Sequence, residues 1–470
     1  MRTPIYVVAL TIASMAAGEV LPPCGDSYGS SADRTAIENA LYSGTIEQAR
    51  AAIEAAKATR GAAVGCPDTV FPRVTPDDTP PALDDALALW NAVHAPGLAT
   101  YAPGACAPLG RDWPAAGLGG FYARLAGQEV DDDALRALAT DLVDTQYGAE
   151  TAAQPLITYP GLYAYTHTMA ESSSPCYRPG VIADGIDLWC GSVSAYCPEY
   201  TAGTWAGDSF LVVDFSTSPR AYDGGAAYDH GWAAQFMIEA WFQETDPVLR
   251  ARLEASVRLA GAWCRDEPAV RNHNYTAKLI WALAELYAAT GEAEWKVALL
   301  DKLERSLKPG VLMDLDNDGN VDGMNAQPFT ALTPIAQTPG RMWDGHNSIA
   351  WYQSMNTWAM LEAYIAFRDR GDTAEAAELR PYAVAMLDNL ALELNTFGTV
   401  TQADVGAGIH PLPVSLALGI WKLARHENDP HPEWEAALWG LYNTGYFNTF
   451  QAGRSTASLG LILLLLTNSP

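Results

Sequence analysis

The feature that most limits what this chain can fold into is a repeat beginning near residue 226. A nearly all-apolar helix comes first, then a short turn carrying Gly or Asp, then a more amphipathic helix. The apolar helices are predicted over 233–242, 276–289, 349–368 and 414–425, and their partners over 247–264, 293–307, 374–394 and 433–442. The turns between them are alike: Glu244, Thr245 and Asp246, then Thr290, Gly291 and Glu292, then Arg370, Gly371 and Asp372, and finally 426–430. Acids just after such turns suit the positive ends of the helices that follow. A helix apolar all round belongs in an interior, and one with a polar face covers it. No hairpin of this kind hides its apolar surface alone, so successive hairpins stack side by side. Closing the stack gives a ring of inner helices wrapped by outer ones. Further helices predicted over 33–43, 46–59, 83–93, 117–125 and 133–146 are expected to complete it. The stretch of about 150–225 has few helical signals and strand-like pieces such as 210–214, and reads as a loop insertion with a small sheet. An open α-solenoid is the competing architecture.

Residues 1–18 read as an export signal: Arg2 gives the positive start, 5–13 a short apolar run, and Ala16, Ala17 and Gly18 a small-residue cleavage site. That run is too short to span a bilayer, as is the apolar run 459–466. The remainder, 19–470, is expected to form one domain, secreted or periplasmic. A net charge of −27 leaves no basic stripe to meet phosphates, which argues against nucleic acid as a partner. Seven cysteines in an exported chain allow up to three disulfides with one thiol left over. Cys176, Cys190 and Cys197 lie in the loop-rich stretch where staples help most.

Four of the eight histidines, His230, His273, His346 and His410, fall at equivalent places at the starts of the four apolar helices. Parallel inner helices bring those starts to one rim, where free N–H groups and a positive dipole end are also presented. Arg220, Arg271, Arg341 and Arg454 gather at the same positions, and in an acidic protein such a group suits recognition of a carboxylate or sulfate. Tyr222, Tyr228, Trp232, Tyr275, Trp343, Trp351 and Tyr352 cluster around the helix starts and offer flat faces for sugar rings. Trp241, Trp281, Trp358 and Trp421 lie further along their helices and read as core.

Between 310 and 324 an aspartate-rich run carries the strongest local motif. Asp314, Asp316, Asp318, Asn320 and Asp322 set hard oxygen donors at alternate positions, with Gly319 for the sharp turn, as at the start of a calcium loop. Asn325 stands where an EF-hand has Glu, and Pro328 follows where a helix would begin. The loop, an insertion of about 310–340, therefore reads as the extracellular type, holding a structural calcium that stiffens the rim.

Together the hairpin repeat from 226 to 467 and the run Asn272, His273, Asn274 and Tyr275 resemble the α/α-toroid polysaccharide lyases and the glycoside hydrolases of the same architecture. The resemblance implies a mainly α fold, an α/α toroid with a small β and loop insertion, acting on a polysaccharide or oligosaccharide. The favoured reading is a lyase that cleaves a uronic-acid-containing polysaccharide by β-elimination: Asn272, His273 and Arg271 or Arg341 neutralise the uronate carboxylate, while Tyr275 or His230 takes the adjacent proton. His346 joins this group, and Tyr228, Trp232, Trp343, Trp351, Asp344, Asn347 and His410 are the expected substrate contacts. In the hydrolase reading two carboxyl groups flank the bond, about 6.5–9.5 Å apart if water enters between them. Asp223, Asp229, Asp344 and Asp404 precede inner helices, but the dipole of a helix N-terminus lowers the proton affinity of a carboxyl there and disfavours the acid role. A non-catalytic glycan-binding or surface protein is the third reading. The polymer, the mode of attack and the oligomeric state stay open.

Overall fold

The computed structural model describes residues 31–61, 77–99, 113–147, 162–163, 200–205, 208–213, 225–270, 272–316, 321–322, 339–344, 347, 350–397, 413–450 and 455–467. Residues 1–18, read from the sequence as an export signal, most of the stretch 150–225 and six of the seven cysteines lie outside these residues.

The chain is mainly helical. Ahead of the repeat come α1 (Ser31–Ser43), α2 (Ile46–Gly61), α3 (Leu83–Leu89), α4 (Ala95–Ala99), α5 (Trp113–Leu125) and α6 (Asp132–Thr145). A π-helical turn, Trp90–His94, joins α3 to α4. The repeat itself supplies α7 (Gly225–Gln243), α8 (Pro247–Asp266), α9 (His273–Thr290), α10 (Ala293–Lys302), α11 (Ala350–Arg370), α12 (Thr373–Phe397), α13 (Pro413–Leu418), α14 (Pro432–Asn443) and α15 (Ala457–Thr467). Helix α13 runs on as a π-helical segment, Gly419–Arg425. Two antiparallel strands, Tyr200–Trp205 and Asp208–Val213, form a hairpin.

Local chemistry explains the boundaries. The Asp246 side chain accepts from the Val248 and Leu249 N–H groups, and Pro247 occupies the first turn of α8, where its missing N–H costs nothing. Helix α9 ends at Gly291, whose φ of 69° is the left-handed conformation a helix C-terminus favours. Every residue of α9 from His273 to Tyr287 is buried, and α15 is buried from Ala457 to Leu465. In α8, by contrast, the buried residues recur with helical spacing at Leu253, Val257, Ala260 and Cys264.

The buried helices contact one another in sequence: α5 packs on α7, α7 on α9, α9 on α11, α11 on α13, α13 on α15, and α15 back on α5. The amphipathic helices lie against them, α8 on α7 and α9, α12 on α11, and α14 on α13 and α12. At the centre Trp232, Trp281 and Trp358, from α7, α9 and α11, meet edge to face with centroids 3.8–5.9 Å apart. The Lys278 ammonium lies 3.4 Å above the Trp232 ring and 4.1 Å above Trp281. Trp281 and Trp358 are core, as their place along the helix implied. Trp232, expected at the cleft, is core as well, because it lies one full turn or more inside α7.

Where α5 and α15 cross, the backbones touch. A Cβ on Gly119 would lie 2.4 Å from the Thr456 carbonyl oxygen, and one on Gly460 would lie 2.3 Å from that of Gly119. Replacing Gly119 with Ala is expected to cost about 1–3 kcal/mol, since neither neighbour is a flexible side chain that can yield. Denaturant unfolding of Gly119→Ala beside the parent checks it; an unchanged midpoint would show that the two helices can part freely.

Helices α1 and α2 do not enter this succession. Ile37, Leu41, Ala49, Ile53 and Ala56 form a separate apolar cluster with Ala269, Leu312, Val321 and Trp343. They lie over the turn between α10 and α11 and over the approach to α9.

Candidate functional site

The start of α9, where sequence reasoning centred the chemistry, is a sealed polar joint. Trp343 donates its indole N–H to His273 Nε2 (3.1 Å), so that nitrogen carries no proton, and Nδ1 shares a hydrogen bond with Ser306 Oγ (2.9 Å). Asp344 Oδ2 stands 3.9 Å from the same Nε2. Asp344 accepts from the backbone and side-chain N–H groups of Asn347, and Asn347 in turn accepts from the Asn274 backbone N–H (2.8 Å), one of the free donors of the first turn. Arg341 reaches Asn389 at 3.3 Å and is buried. Met342 and Gly340 are both tied to Gln353 of α11.

The expected site residues fall into three groups. Asn272, His273, Tyr275, His230, Arg341, Trp343, Asp344 and Asn347 are all buried. His273, Trp343, Asp344 and Asn347 are brought together; His230 lies instead against α8, 3.2 Å from the Ala260 carbonyl and edge-on to Trp263. Of this group, Trp343 also packs in the apolar cluster formed with α1 and α2. Arg271, His346 and His410, and the side chains of Tyr228, Asp229 and Trp351, lie outside the described residues.

Burial holds the His230 imidazole neutral by lowering its pKa to about 4, against a small opposing effect of the Ala260 carbonyl. The unfolded chain therefore takes up a proton near pH 6.5 that the native site refuses until about pH 4. Stability is expected to fall as pH drops through that window, by at most about 3 kcal/mol from this residue. Unfolding measured at pH 7 and pH 4 should show a smaller drop in His230→Gln than in the parent; an equal drop would place the acid sensitivity elsewhere.

The calcium-loop motif is described in part. Asp322 Oδ2 accepts from the Leu315 N–H (2.7 Å) and the Asp322 N–H donates to the Met313 carbonyl (2.6 Å), so the loop ends are drawn together around Asp314 and Asp316. Asp318, Asn320 and Asn325 lie outside the described residues. Cys264 is a free buried thiol, pushed well up by burial, which makes it a packing group rather than a nucleophile.

At the opposite ends of the buried helices the structure contains a pocket of about 420 Å³. Glu239 of α7, Glu285 of α9, Glu362 of α11 and Lys422 of the Gly419–Arg425 segment converge on it, with Phe242 and Trp421 as aromatic wall. All come from the C-terminal halves of their helices, so the carbonyl-rich ends face this mouth. Lys422 Nζ lies 2.9 Å and 3.0 Å from the two oxygens of Glu362. Trp421, read from its position as core, is half-buried on the pocket wall. Trp421 and Lys422 both lie in the π-helical segment, and such wide turns recur at working sites.

Arg368, Asp369 and His426 also line the pocket, but Arg368 is tied to Asp369 and Glu427. Glu239, Glu285 and Glu362 therefore share Lys422 as their cation, and protons must settle the rest. Burial raises the Glu285 pKa well above the carboxylate range, and the charges of Glu239 and Glu362 add to this while Lys422 offsets part of it. Glu239 is raised as well, first by burial, with Lys422 pulling it down and Glu362 pushing it up. Burial alone would lower Lys422, but Glu362, Glu285 and Glu239 outweigh it and the amine is raised. Glu285 is only 8 % exposed, and its Oε2 has no hydrogen-bond partner among the described residues. The negative end of each helix dipole acts in the same direction as burial. A carboxyl kept protonated beside one paired with a cation is an arrangement for acid–base chemistry.

No protein-family model, curated protein or solved structure matches this chain.

Proposed function

We propose that this chain is a secreted glycoside hydrolase built as an α/α toroid, with its catalytic carboxyls in the pocket at the C-terminal ends of the inner helices. The observation that carries the reading is the convergence of Glu239, Glu285 and Glu362 on one pocket, with Lys422 bound to only one of them. Glu239, the most open of the three, serves as proton donor to the leaving oxygen. Glu362, ion-paired with Lys422, activates water or stabilises the developing positive charge. Glu285 beneath them keeps the proton affinity of the group high. Trp421 and Phe242 give apolar faces for a sugar ring, and the volume suits a ligand of one or two rings. The unbroken succession of contacts from α5 round to α15 and back supports the toroid.

The elimination reading is less well supported, because it needs a base open to substrate, and His230, His273 and Tyr275 are buried. Asp314, Asp316, Asp318, Asn320 and Asp322 would hold a structural calcium, whose oxygen-only donor set fits a hard cation.

Offered neutral and uronate-containing polysaccharides with calcium present, the protein is expected to release reducing ends without absorbance from a new C=C bond. Glu239→Gln should lose about 10²–10⁴-fold in rate while keeping its fold. Rising ultraviolet absorbance, with Glu239→Gln fully active, would return the search to His273 and Tyr275.

A further inference from the structure

A second group of donors lies on the outer layer, away from the pocket. Asp388 of α12 faces the start of α14, where His431 precedes Pro432 and Glu433 occupies the first turn. His431 Nδ1 is 3.1 Å from Glu433 Oε1 and 3.9 Å from Asp388 Oδ1. One donor atom from each of the three residues falls within 4.8 Å of the others. A tetrahedral first-row ion with bonds of about 2.0–2.2 Å holds its donors roughly 3.3–3.6 Å apart, so these distances bracket what such an ion needs.

The donors are also oriented. The His431 ring lies flat on Trp434, with centroids 3.8 Å apart and planes 4° from parallel. The Trp434 indole N–H donates to Asp388 Oδ1 at 2.7 Å, so one tryptophan fixes two of the three donors. On the far side of the imidazole, the buried Nε2 makes no hydrogen bond among the described residues; Asp429 Oδ2 stands 3.5 Å away and is itself tied to Arg380. The nearby negative charge favours the tautomer with its hydrogen on Nε2, which leaves Nδ1 free to ligate.

We propose that Asp388, His431 and Glu433 form a site for a divalent transition-metal ion, bound by His431 through Nδ1 and completed by water. Imidazole with carboxylates suits zinc and its first-row neighbours, whereas calcium and magnesium take oxygen donors alone. The side chains of Asp388 and Glu433 are 48 % and 49 % exposed, so an ion reaches them from solvent. Binding replaces any proton on Nδ1, which leaves to solvent, while Nε2 keeps its hydrogen. The ion would bridge α12 to α14 and is independent of the pocket chemistry.

Titration of the full chain with zinc, calcium being present in excess to occupy the aspartate-rich loop, tests this. One zinc per chain is expected, with a rise in melting temperature. His431→Phe keeps the ring on Trp434 but removes the donor, and should weaken uptake at least about tenfold; Asp429→Asn should weaken it about 10–100-fold. Glu433→Gln, at an exposed position, should weaken uptake in the same way and stands in for His431→Phe should that variant not fold. The absence of zinc uptake by the parent, or uptake unchanged in both His431→Phe and Glu433→Gln, overturns the site and leaves His431 as the centre of a polar cluster that ties α12 to α14.

Discussion

Replacing Lys422 with Met is expected to destabilise the protein by about 3–5 kcal/mol near pH 8, one of the largest losses any single surface-accessible cation here can cause. The ammonium is the counter-ion of Glu362 and lies among the charges of Glu285 and Glu239. Methionine preserves the length of the stem and leaves three carboxyls without a cation. The sign of the pH dependence follows from the raised carboxyls. Groups whose native proton affinity exceeds the unfolded value favour folding when protonated, and that contribution is lost as pH rises through the native pKa. The deficit of Lys422→Met should therefore shrink as pH is lowered from 8 towards about 5, because protonation neutralises the carboxyls that lost their partner. Glu285→Gln mimics the protonated acid and should stabilise the protein at pH 8, and in the double variant it should recover part of the Lys422→Met loss. Denaturant unfolding across that pH range checks all three; a Lys422→Met deficit that does not change with pH would mean that the stem, not the charge, matters.

The second large effect concerns the central tryptophans. Trp281→Ala removes a fully buried ring that meets Trp232 and Trp358 edge to face. Loss of transfer free energy and the cavity left behind together cost about 3–5 kcal/mol. Lys278 loses the ring beneath its ammonium at 4.1 Å, adding about 0.5–2 kcal/mol for a desolvated cation. Trp421→Ala, on the pocket wall, should cost much less stability and more activity. Thermal melts of the two variants side by side separate core from wall; similar losses in both would contradict that assignment.

Much of the fold was legible because the helices declare themselves by pattern. The helix predicted over 276–289 is found as His273–Thr290, and that over 247–264 as Pro247–Asp266, the differences being turns at the ends. Gly291 and Asp246 marked their turns for the physical reasons the structure displays. The N-terminal helices were harder, since composition does not say which partner an amphipathic helix finds. Of these, α5 joins the buried succession, while α1 and α2 cover the approach to α9.

The pocket was not legible, for a physical reason. The four histidines make a visible sequence pattern, although His273 opens its helix while His230 lies six residues into α7; Glu239, Glu285 and Glu362 stand alone in apolar runs at unequal distances from their helix ends. A signal was present all the same: an acid inside an otherwise apolar helix must be buried and must be answered by a proton or a cation. Lys422, a rare lysine in an acidic chain, sits in a helical segment that faces all three. The donors Asp388, His431 and Glu433 are split between two helices, and no spacing within one segment could have joined them.

The meeting of α5 with α15 also sets an order on synthesis. Gly119 and Gly460 are neighbours in space but lie far apart along the chain, so their contact cannot form until the ribosome has made α15. Long-range contacts of this kind slow folding, since the entropy of closing the loop is spent before the contact rewards it. Until then the apolar face of α5 lacks its last neighbour, and a nascent chain of this protein remains open to chaperones.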